Sequence, residues 1–375
     1  MNKLIVPLVA LVFAGCCCCV CDNKGYPSVV EEGFVPCADG TAVESAWENG
    51  ENFVARFEYL PFEGKVQQRR VRVLPAASDN IDRQIWGKEK NFAPNGSYER
   101  TVDMWNFEEV KASGDEIEVL LNGYVVTKEK IPLADRKTTR WIGFTGTETL
   151  RNVRLKMDAA PVPGLKAPDG FETCFNGCPK QLAANWKGVT TEEGFDNPVV
   201  RQKATAEKRV LMQKIANLAM SQHWTVRDGA LHFDGFRGGY SLATKKDYAD
   251  FELWADWRIL SVTGDSGLYL RGSPQVQIWD AHNQWHIGSG GLYNNKKNPS
   301  QALKIADRQV GDWNRFHVIM RGEKVTVWLN GELVVDGVTL ENYWDRSKPI
   351  FPKEQIELQC HGDPTEWRNI FIKEL

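Results

Sequence analysis

The sequence predicts an all-β protein of two related β-sandwiches, the second interrupted by one helical insertion. Three observations predict it. Short segments alternate apolar and polar residues at period two, as strands buried on one side do. A strand–turn–strand pattern ending in Asn-Gly occurs once in each half, the mark of a duplication. Gly and Asn-Gly turn signals punctuate the segments at the spacing of β-hairpins.

Taken from the N-terminus, Met1-Asn2-Lys3 and the apolar run from Leu4 to Ala14 have the charged and hydrophobic regions of a secretory signal. At about a dozen residues the run is too short to span a bilayer. It leads through Ala14-Gly15 into Cys16, a bacterial lipobox in which Cys16 would be lipidated. The expected location is therefore a membrane-anchored bacterial lipoprotein, periplasmic or on the outer membrane. Cys16, Cys17, Cys18, Cys19 and Cys21 lack the paired spacing and companion histidines of a zinc site. Residues 1–26 are read as signal and tether.

The first sandwich is expected over 27–158. In it Trp105-Asn106-Phe107-Glu108-Glu109-Val110-Lys111, followed by Gly114, Ile117, Val119 and Leu121-Asn122-Gly123, makes strand, turn, strand and hairpin. Trp313-Asn314-Arg315-Phe316-His317-Val318, Gly322, Val325, Val327 and Leu329-Asn330-Gly331 repeat the pattern in the second sandwich. Arg151-Asn152-Val153 likewise echoes Arg368-Asn369-Ile370. A Pro-rich linker covers 159–169, and the second sandwich 170–375. Thr205 to His223 reads as an amphipathic helix with Val210, Leu211, Ile215, Leu218 and Ala219 on its buried face. Cys174 and Cys178 are close enough for a local disulfide, the alternative being two buried thiols, while Cys37 and Cys360 have no obvious partner. Gly235, Gly238 and Gly239 are turn glycines, since no helical pattern follows them as in a phosphate loop.

The chain of 375 residues carries 46 basic against 49 acidic residues, a net charge of −3 with no long single-sign block, which argues against nucleic acid as a partner. No Gly-x-Ser-x-Gly elbow and no His-Glu-x-x-His helix occur, so serine-hydrolase and zincin chemistry lack support. The chemistry gathers after residue 250. Phe251, Leu253, Ala255, Trp257 and Ile259 alternate with Glu252, Trp254, Asp256 and Arg258. Leu268 and Leu270 alternate with Tyr269 and Arg271, and Val276 and Ile278 with Gln275, Gln277 and Trp279. Ile356, Leu358 and Cys360 alternate with Glu357, Gln359 and His361. The second member of each set faces outward, and aromatics mixed with amides and charges suit sugar rings, which offer both C–H faces and hydroxyls. A solvated antiparallel face is the ordinary alternative. Trp254, Tyr269 and Trp279 weigh against it, because they would expose a large apolar patch unless a domain or a ligand covers them.

Gly170-Phe171-Glu172-Thr173-Cys174-Phe175-Asn176-Gly177, Trp186-Lys187-Gly188, His223-Trp224, Tyr248-Ala249-Asp250-Phe251, Ser266-Gly267-Leu268-Tyr269-Leu270-Arg271-Gly272, Gly311-Asp312-Trp313-Asn314 and Arg368-Asn369-Ile370 together resemble the bacterial 3-keto-disaccharide hydrolase domain family. The resemblance covers 170–375 and is weak over 27–158. It implies a concanavalin-like jelly roll acting on glycosides already oxidised to a ketone at sugar C3. The implied chemistry is elimination of the aglycone to a 3-keto-2-hydroxyglucal, hydration of that glucal, or both. A C3 ketone acidifies the C2 proton, so such a site needs a base near C2 and a cation or hydrogen-bond donor at the enolate oxygen. A separate glycoside 3-dehydrogenase would supply the ketone.

On strand alternation, Asp256, Glu252 and His361 are the candidate bases and Arg271 the enolate clamp, with Gln275, Gln277 and Gln359 positioning hydroxyls and Trp254, Tyr269 and Trp279 stacking on sugar. Glu252 and Asp256, four residues apart on a strand, would be roughly 13 Å apart, too far for the paired carboxylates of an ordinary glycosidase. Asp280, His282 and His286 share a loop in which carboxylate and imidazole could hold a divalent cation, against an ordinary polar loop. Many relatives carry Glu where Gln275 stands. If that Glu serves as base or metal ligand, this chain uses another residue or is inactive, unless Pro274-Gln275-Val276-Gln277 marks a subgroup of the family. The rival function is a lectin-like carbohydrate-binding lipoprotein, because jelly rolls serve widely as binding modules. A catalytic site should gather Asp256, Arg271 and His361 in one pocket; a binding platform would leave them spread.

Overall fold

The computed structural model describes residues 34–36, 40–46, 52–60, 70–75, 104–130, 139–157, 164–283 and 285–375. Cys16, the signal segment and Cys37 lie outside the described residues. Eight strands precede the linker: β1 (Phe34–Pro36), β2 (Gly40–Ala46), β3 (Phe53–Leu60), β4 (Arg70–Pro75), β5 (Asn106–Ser113), β6 (Glu116–Leu121), β7 (Tyr124–Lys130) and β8 (Thr139–Met157). They form one sheet of order β1-β8-β3-β5-β6-β7, with β2 and β4 also pairing β8.

After the linker come β9 (Glu172–Phe175), α1 (Pro179–Asn185), β10 (Trp186–Gly188), α2 (Pro198–Lys203), α3 (Ala206–His223), β11 (Trp224–Arg227), β12 (Ala230–Phe233) and β13 (Leu242–Thr244). Then follow β14 (Phe251–Ile259), β15 (Asp265–Leu270), β16 (Ser273–Trp279), β17 (Asn314–Arg321), β18 (Lys324–Leu329), β19 (Glu332–Thr339), β20 (Glu357–Leu358) and β21 (Thr365–Glu374). A five-stranded sheet, β10-β13-β20-β15-β16, faces an eight-stranded one, β11-β12-β21-β14-β17-β18-β19, with β9 on β21. The inward residues expected from alternation form the core between them: Phe251, Leu253, Ala255, Trp257, Ile259, Leu268, Leu270, Val276, Ile278, Ile356 and Leu358 are all buried in one cluster. The fold is an all-β sandwich with few helices.

The duplication is visible in bonds as well as in letters. Asn122 donates to the Asn106 side chain at 2.8 Å and accepts from the Phe107 amide at 3.0 Å. Asn330 donates to the Asn314 side chain at 2.8 Å and accepts from the Arg315 amide at 2.9 Å. Both hairpin asparagines hold the left-handed conformation, at φ 49° and 53°, that an Asn tolerates. The Arg-Asn pairs correspond too. Asn152 and Asn369 each sit at positive φ and donate to a buried carboxylate on the neighbouring strand, Glu58 at 2.9 Å and Asp256 at 2.8 Å. Strand β8 performs in one run what β20 and β21 do separately: its 139–145 part pairs β2 and β4, its 149–157 part β1 and β3.

The first sheet docks on the second unit through both core and charge. Phe107 belongs to the main core, and a methyl at Gly311, which has φ +85°, would lie 2.2 Å from the Phe107 ring. Arg56 and Arg154 both bond Asp312, at 2.9 and 2.8 Å, and Arg258 bonds Glu109 at 3.0 Å. The linker is a strap as well as a spacer: Leu165, Ala167 and Phe171 pack on Trp254 and Phe371.

Two expectations are corrected. Helix α3 runs where expected, with Thr205 accepting from the Lys208 amide as its N-cap, but it buries Met212, Ala216 and Ala219 and leaves Val210, Leu211 and Leu218 exposed. Its packing face is Met212 with the small Ala216 and Ala219, and Gly188 of β10 approaches so closely that a methyl there would meet the Ala216 carbonyl. Cys174 and Cys178 are free thiols: Cys174 is buried 3.7 Å from the Tyr248 hydroxyl, whereas Cys178 is exposed beside α1.

Candidate functional site

The outward-facing residues of the sequence fall on two different sheets, so they do not make one site. Glu252, Trp254, Asp256 and Arg258 lie on β14, on the outer face of the eight-stranded sheet. There Asp256 is fully buried, bonded to Arg315 at 2.6 and 3.0 Å and to Asn369, with Arg368 3.6 Å away. Glu252 meets His317 at 2.8 Å, and that imidazole stacks between Trp254 and Trp328. Trp254 is covered by the linker. Asp256, Glu252 and Trp254, expected as catalytic and binding groups, are instead parts of a sealed structural network. Alternation fixes which residues share a strand face but not what lies over it.

Arg271 is also displaced from the expected place. It sits at the β15–β16 turn with φ 49°, donates to the Pro352 carbonyl at 3.2 Å, and feels Asp250 and Glu323 at that end of the sandwich. Asp256, Arg271 and His361 are thus spread apart, as expected of a binding platform and not of one catalytic pocket built from these three. Asp280 and His282 are engaged locally: Asp280 accepts from the amides of Thr263, His282 and Asn283, and His282 Nε2 lies 2.9 Å from the Asp307 carbonyl. Among the described residues no group of three or more His, Cys, Asp or Glu side chains is arranged to hold an ion. The pair does not fit a divalent-metal site as placed.

The remaining candidates gather on the outer face of the five-stranded sheet, where strand register aligns them. Lys187 pairs across to Ala243, Ala243 to Glu357, and Glu357 to Tyr269, so three polar side chains share one cross-strand row. The next row holds Gln359 and Gln277 on either side of Gly267, whose backbones bond directly. A methyl on Gly267 would meet Gln359 Oε1 at 2.9 Å and the Gln275 side chain at 3.0 Å, so the bare backbone is the floor over which the amides fold. The third row carries His361 and Asp265, 3.5 Å apart.

Within this face Gln359 donates to the Tyr269 hydroxyl at 3.1 Å, Gln277 to Asp265 at 2.7 Å, and Gln275 to Gln277. Gln359 Oε1 is buried without a hydrogen-bond partner. Glu357 is buried and accepts from Gln355 at 2.7 Å. Burial pushes its carboxyl up to about 7, with Arg201 and the Gln355 bond pulling weakly against it. Burial, then the Glu357 charge, raises Tyr269 and keeps it a neutral phenol. Glu357 was not singled out from the sequence, although its outward direction was read correctly; its perturbed acidity comes from the covering elements around Asp196 and Arg201, which no local pattern announces.

Two cavities flank the rows. One of about 490 Å³ is lined by Asp265, His361, Asp363, Arg237 and Trp285. Trp279 is buried behind it, its indole N–H 2.6 Å from the Ile287 carbonyl and its ring stacked on Trp285. The aromatic offered to a ligand is therefore Trp285, not Trp279. The other cavity, of about 450 Å³, lies between β10 and the helices α2 and α3 and includes Lys187, Arg201 and Gln355.

Among solved structures, a presumed glycosyl hydrolase from Parabacteroides distasonis aligns over 57% of this chain and 100% of its own, at 19% identity and a TM-score of 0.40. A second from the same organism covers 41% and 91%, at 25% identity and 0.34. A carbohydrate-binding module from Bacillus subtilis covers 38% and 86%, at 14% and 0.26. No curated protein matches the chain. The 3-keto-alpha-glucoside-1,2-lyase-like domain matches residues 170–373, more than half the chain and the whole region that builds the five-stranded face, and the protein belongs to that family.

Proposed function

We propose that the second sandwich cleaves 3-keto-glycosides by elimination, with Glu357 as the base at C2 and Tyr269 as the donor to the enolate oxygen. Family membership supports a carbohydrate-active role. The observation that carries the finer reading is the Glu357–Tyr269 pair, adjacent on neighbouring strands, the first a carboxyl near pH 7 and the second a neutral phenol. Opposed residues on such strands hold their Cβ atoms roughly 5 Å apart, within reach of adjacent atoms of one sugar ring.

Glu357 as carboxylate removes the C2 proton. The electron pair delocalises into the C3 ketone, whose oxygen receives the Tyr269 hydrogen bond. Gln359 donates to the phenol oxygen, leaving the phenol hydrogen for that use. The enolate then expels the C1 substituent, which leaves with the proton that Glu357 took from C2, and the ring becomes a 3-keto-2-hydroxyglucal. A carboxyl close to neutral pH can both take and return a proton. Gln275 stands on β16 where the resemblance implies a carboxylate, and in this reading Glu357 of β20 supplies the base instead. Gln277 and Gln359 position hydroxyls, and the His361–Asp265–Trp285 cavity holds the aglycone. His361 is four residues from Glu357, roughly 13 Å in extended chain, too far to act at the same bond.

We propose further that the chain is exported and tethered through Cys16, and that a separate glycoside 3-dehydrogenase makes its substrate. A lectin-like role is the alternative, and one experiment separates the two. Protein from residue 27 is incubated with 3-keto-glucosides while aglycone release and C2 deuterium exchange are followed by NMR. Elimination predicts both signals, with Glu357→Gln lowering the rate at least about a hundredfold and Tyr269→Phe less. Saturable binding with neither signal would replace the enzyme by the lectin.

A further inference from the structure

The cavity between β10, α2 and α3 has a chemistry that the elimination of a neutral glycoside does not use. Three cationic side chains line it, Lys187, Arg201 and Arg209, and among its described lining residues there is no carboxylate. Arg201 is fixed in place by Glu354 at 3.0 Å and by the carbonyls of Phe195 and Asp196. The Lys187 ammonium, half-buried on the outward row, has no hydrogen-bond or ion-pair partner among the described residues. A half-buried unpaired ammonium is unfavourable unless something of opposite charge joins it. Burial and the nearby Arg201 lower its pKa, against the pull of the Asp247, Glu354 and Glu357 carboxylates.

The cavity also communicates with the proposed reaction centre. Gln355 lines it and donates to Glu357. Its apolar wall, from Met212 and Ala216 of α3, suits the C–H face of a sugar ring, and a volume of about 450 Å³ is ample for one pyranose with a substituent. The exposed apolar residues of α3 lie elsewhere on the helix and do not contribute.

We propose that this cavity is a subsite for an acidic sugar unit, a uronate whose carboxylate is received by Lys187 and Arg209, so that the protein acts on carboxylated glycans. The inference rests on the placement of the carbohydrate site on the five-stranded face, but it does not require turnover. Its test is a binding titration of the full chain with glucuronate, glucose and sodium sulfate, read by calorimetry and by tryptophan fluorescence. Glucuronate binds saturably and loses affinity as salt is raised, glucose does not bind at the same concentrations, and sulfate competes poorly. Lys187→Met weakens glucuronate roughly tenfold or more, as loss of a charge-assisted bond does. Arg209→Gln, at an exposed position whose guanidinium also bonds the Ala204 carbonyl, weakens it several-fold. Equal affinity for glucose and glucuronate, no binding of glucuronate, full displacement by equimolar sulfate, or indifference to both substitutions would each overturn the proposal. Absence of C2 exchange in the elimination assay, with glucuronate still bound, would remove the lyase and leave this subsite standing.

Discussion

Two buried carboxylates, Glu357 and Asp256, have opposite roles because of what surrounds them. Asp256 is met by Arg315, Arg368 and Asn369, so its charge is compensated and fixed. Replacing it by Asn leaves two guanidinium groups short of a partner and should cost about 3–5 kcal/mol, seen as a lower midpoint in denaturant. The kcat of the folded fraction should stay near wild type, which a catalytic Asp256 would not allow. Glu357 is buried with weak compensation, and its pKa is raised from 4.5 to about 7. A raised carboxyl favours the folded state while protonated. The contribution is therefore full below 4.5 and lost as pH rises through about 7. Glu357→Gln should slow elimination at least about a hundredfold yet make the protein more stable than wild type at pH 8, by on the order of 2–3 kcal/mol, with little difference at pH 4. Thermal melts at the two pH values check it.

At the scale of elements, the hairpin that closes β17, β18 and β19 depends on one side chain. Asn330 donates to Ala306 and Asn314, accepts from the Arg315 amide, and holds φ 53°. Asn330→Ala removes three hydrogen bonds and keeps an unfavourable φ, for an expected loss of about 2–4 kcal/mol. Asn330→Gly should recover part of that, because only the backbone strain is relieved. The same loss is expected at Asn122, whose contacts are of the same kind. These residues were legible as a repeat in the sequence, and the structure shows what they do: each Asn-Gly turn reverses the chain while the Asn side chain ties it to the start of the strand one earlier, β5 for Asn122 and β17 for Asn330.

At the scale of the whole molecule, the first sheet and the second unit are joined by a charge network and by the rings of Phe107 and Trp105. Glu109 is buried between Arg56 and Arg258, and burial alone would raise it, yet the two guanidinium groups hold it down at about 2. Glu366, bonded to Arg258 at 2.7 Å, is lowered likewise by Arg258 and His232 against its burial. Depressed carboxylates stabilise fully above the ordinary value of 4.5, and that stability is lost as pH falls toward about 2. Acid should therefore part the first sheet from the second unit before the five-stranded sheet melts. Hydrogen exchange at pH 3 should show β5 and β6 exchanging ahead of β15 and β20. Because Phe107 sits in the common core, Phe107→Ala should cost about 3–5 kcal/mol and bring that separation to higher pH.

Period-two alternation and the duplicated motifs determined by themselves that the chain is all-β, which residues of β14, β15, β16 and β20 face the core, and where the helix α3 lies. Local sequence suffices there, because strand faces and helix starts are set by neighbours a few positions away. What covers each outward face was decided only by tertiary structure. The linker covers Trp254 and the first sheet meets Arg258, while register alone aligns Lys187, Glu357 and Tyr269 from strands up to 170 positions apart. Desolvation of Glu357 is likewise a property of what folds over it, so the residue with the most shifted useful acidity on that face looked, in the sequence, like any polar residue on a strand.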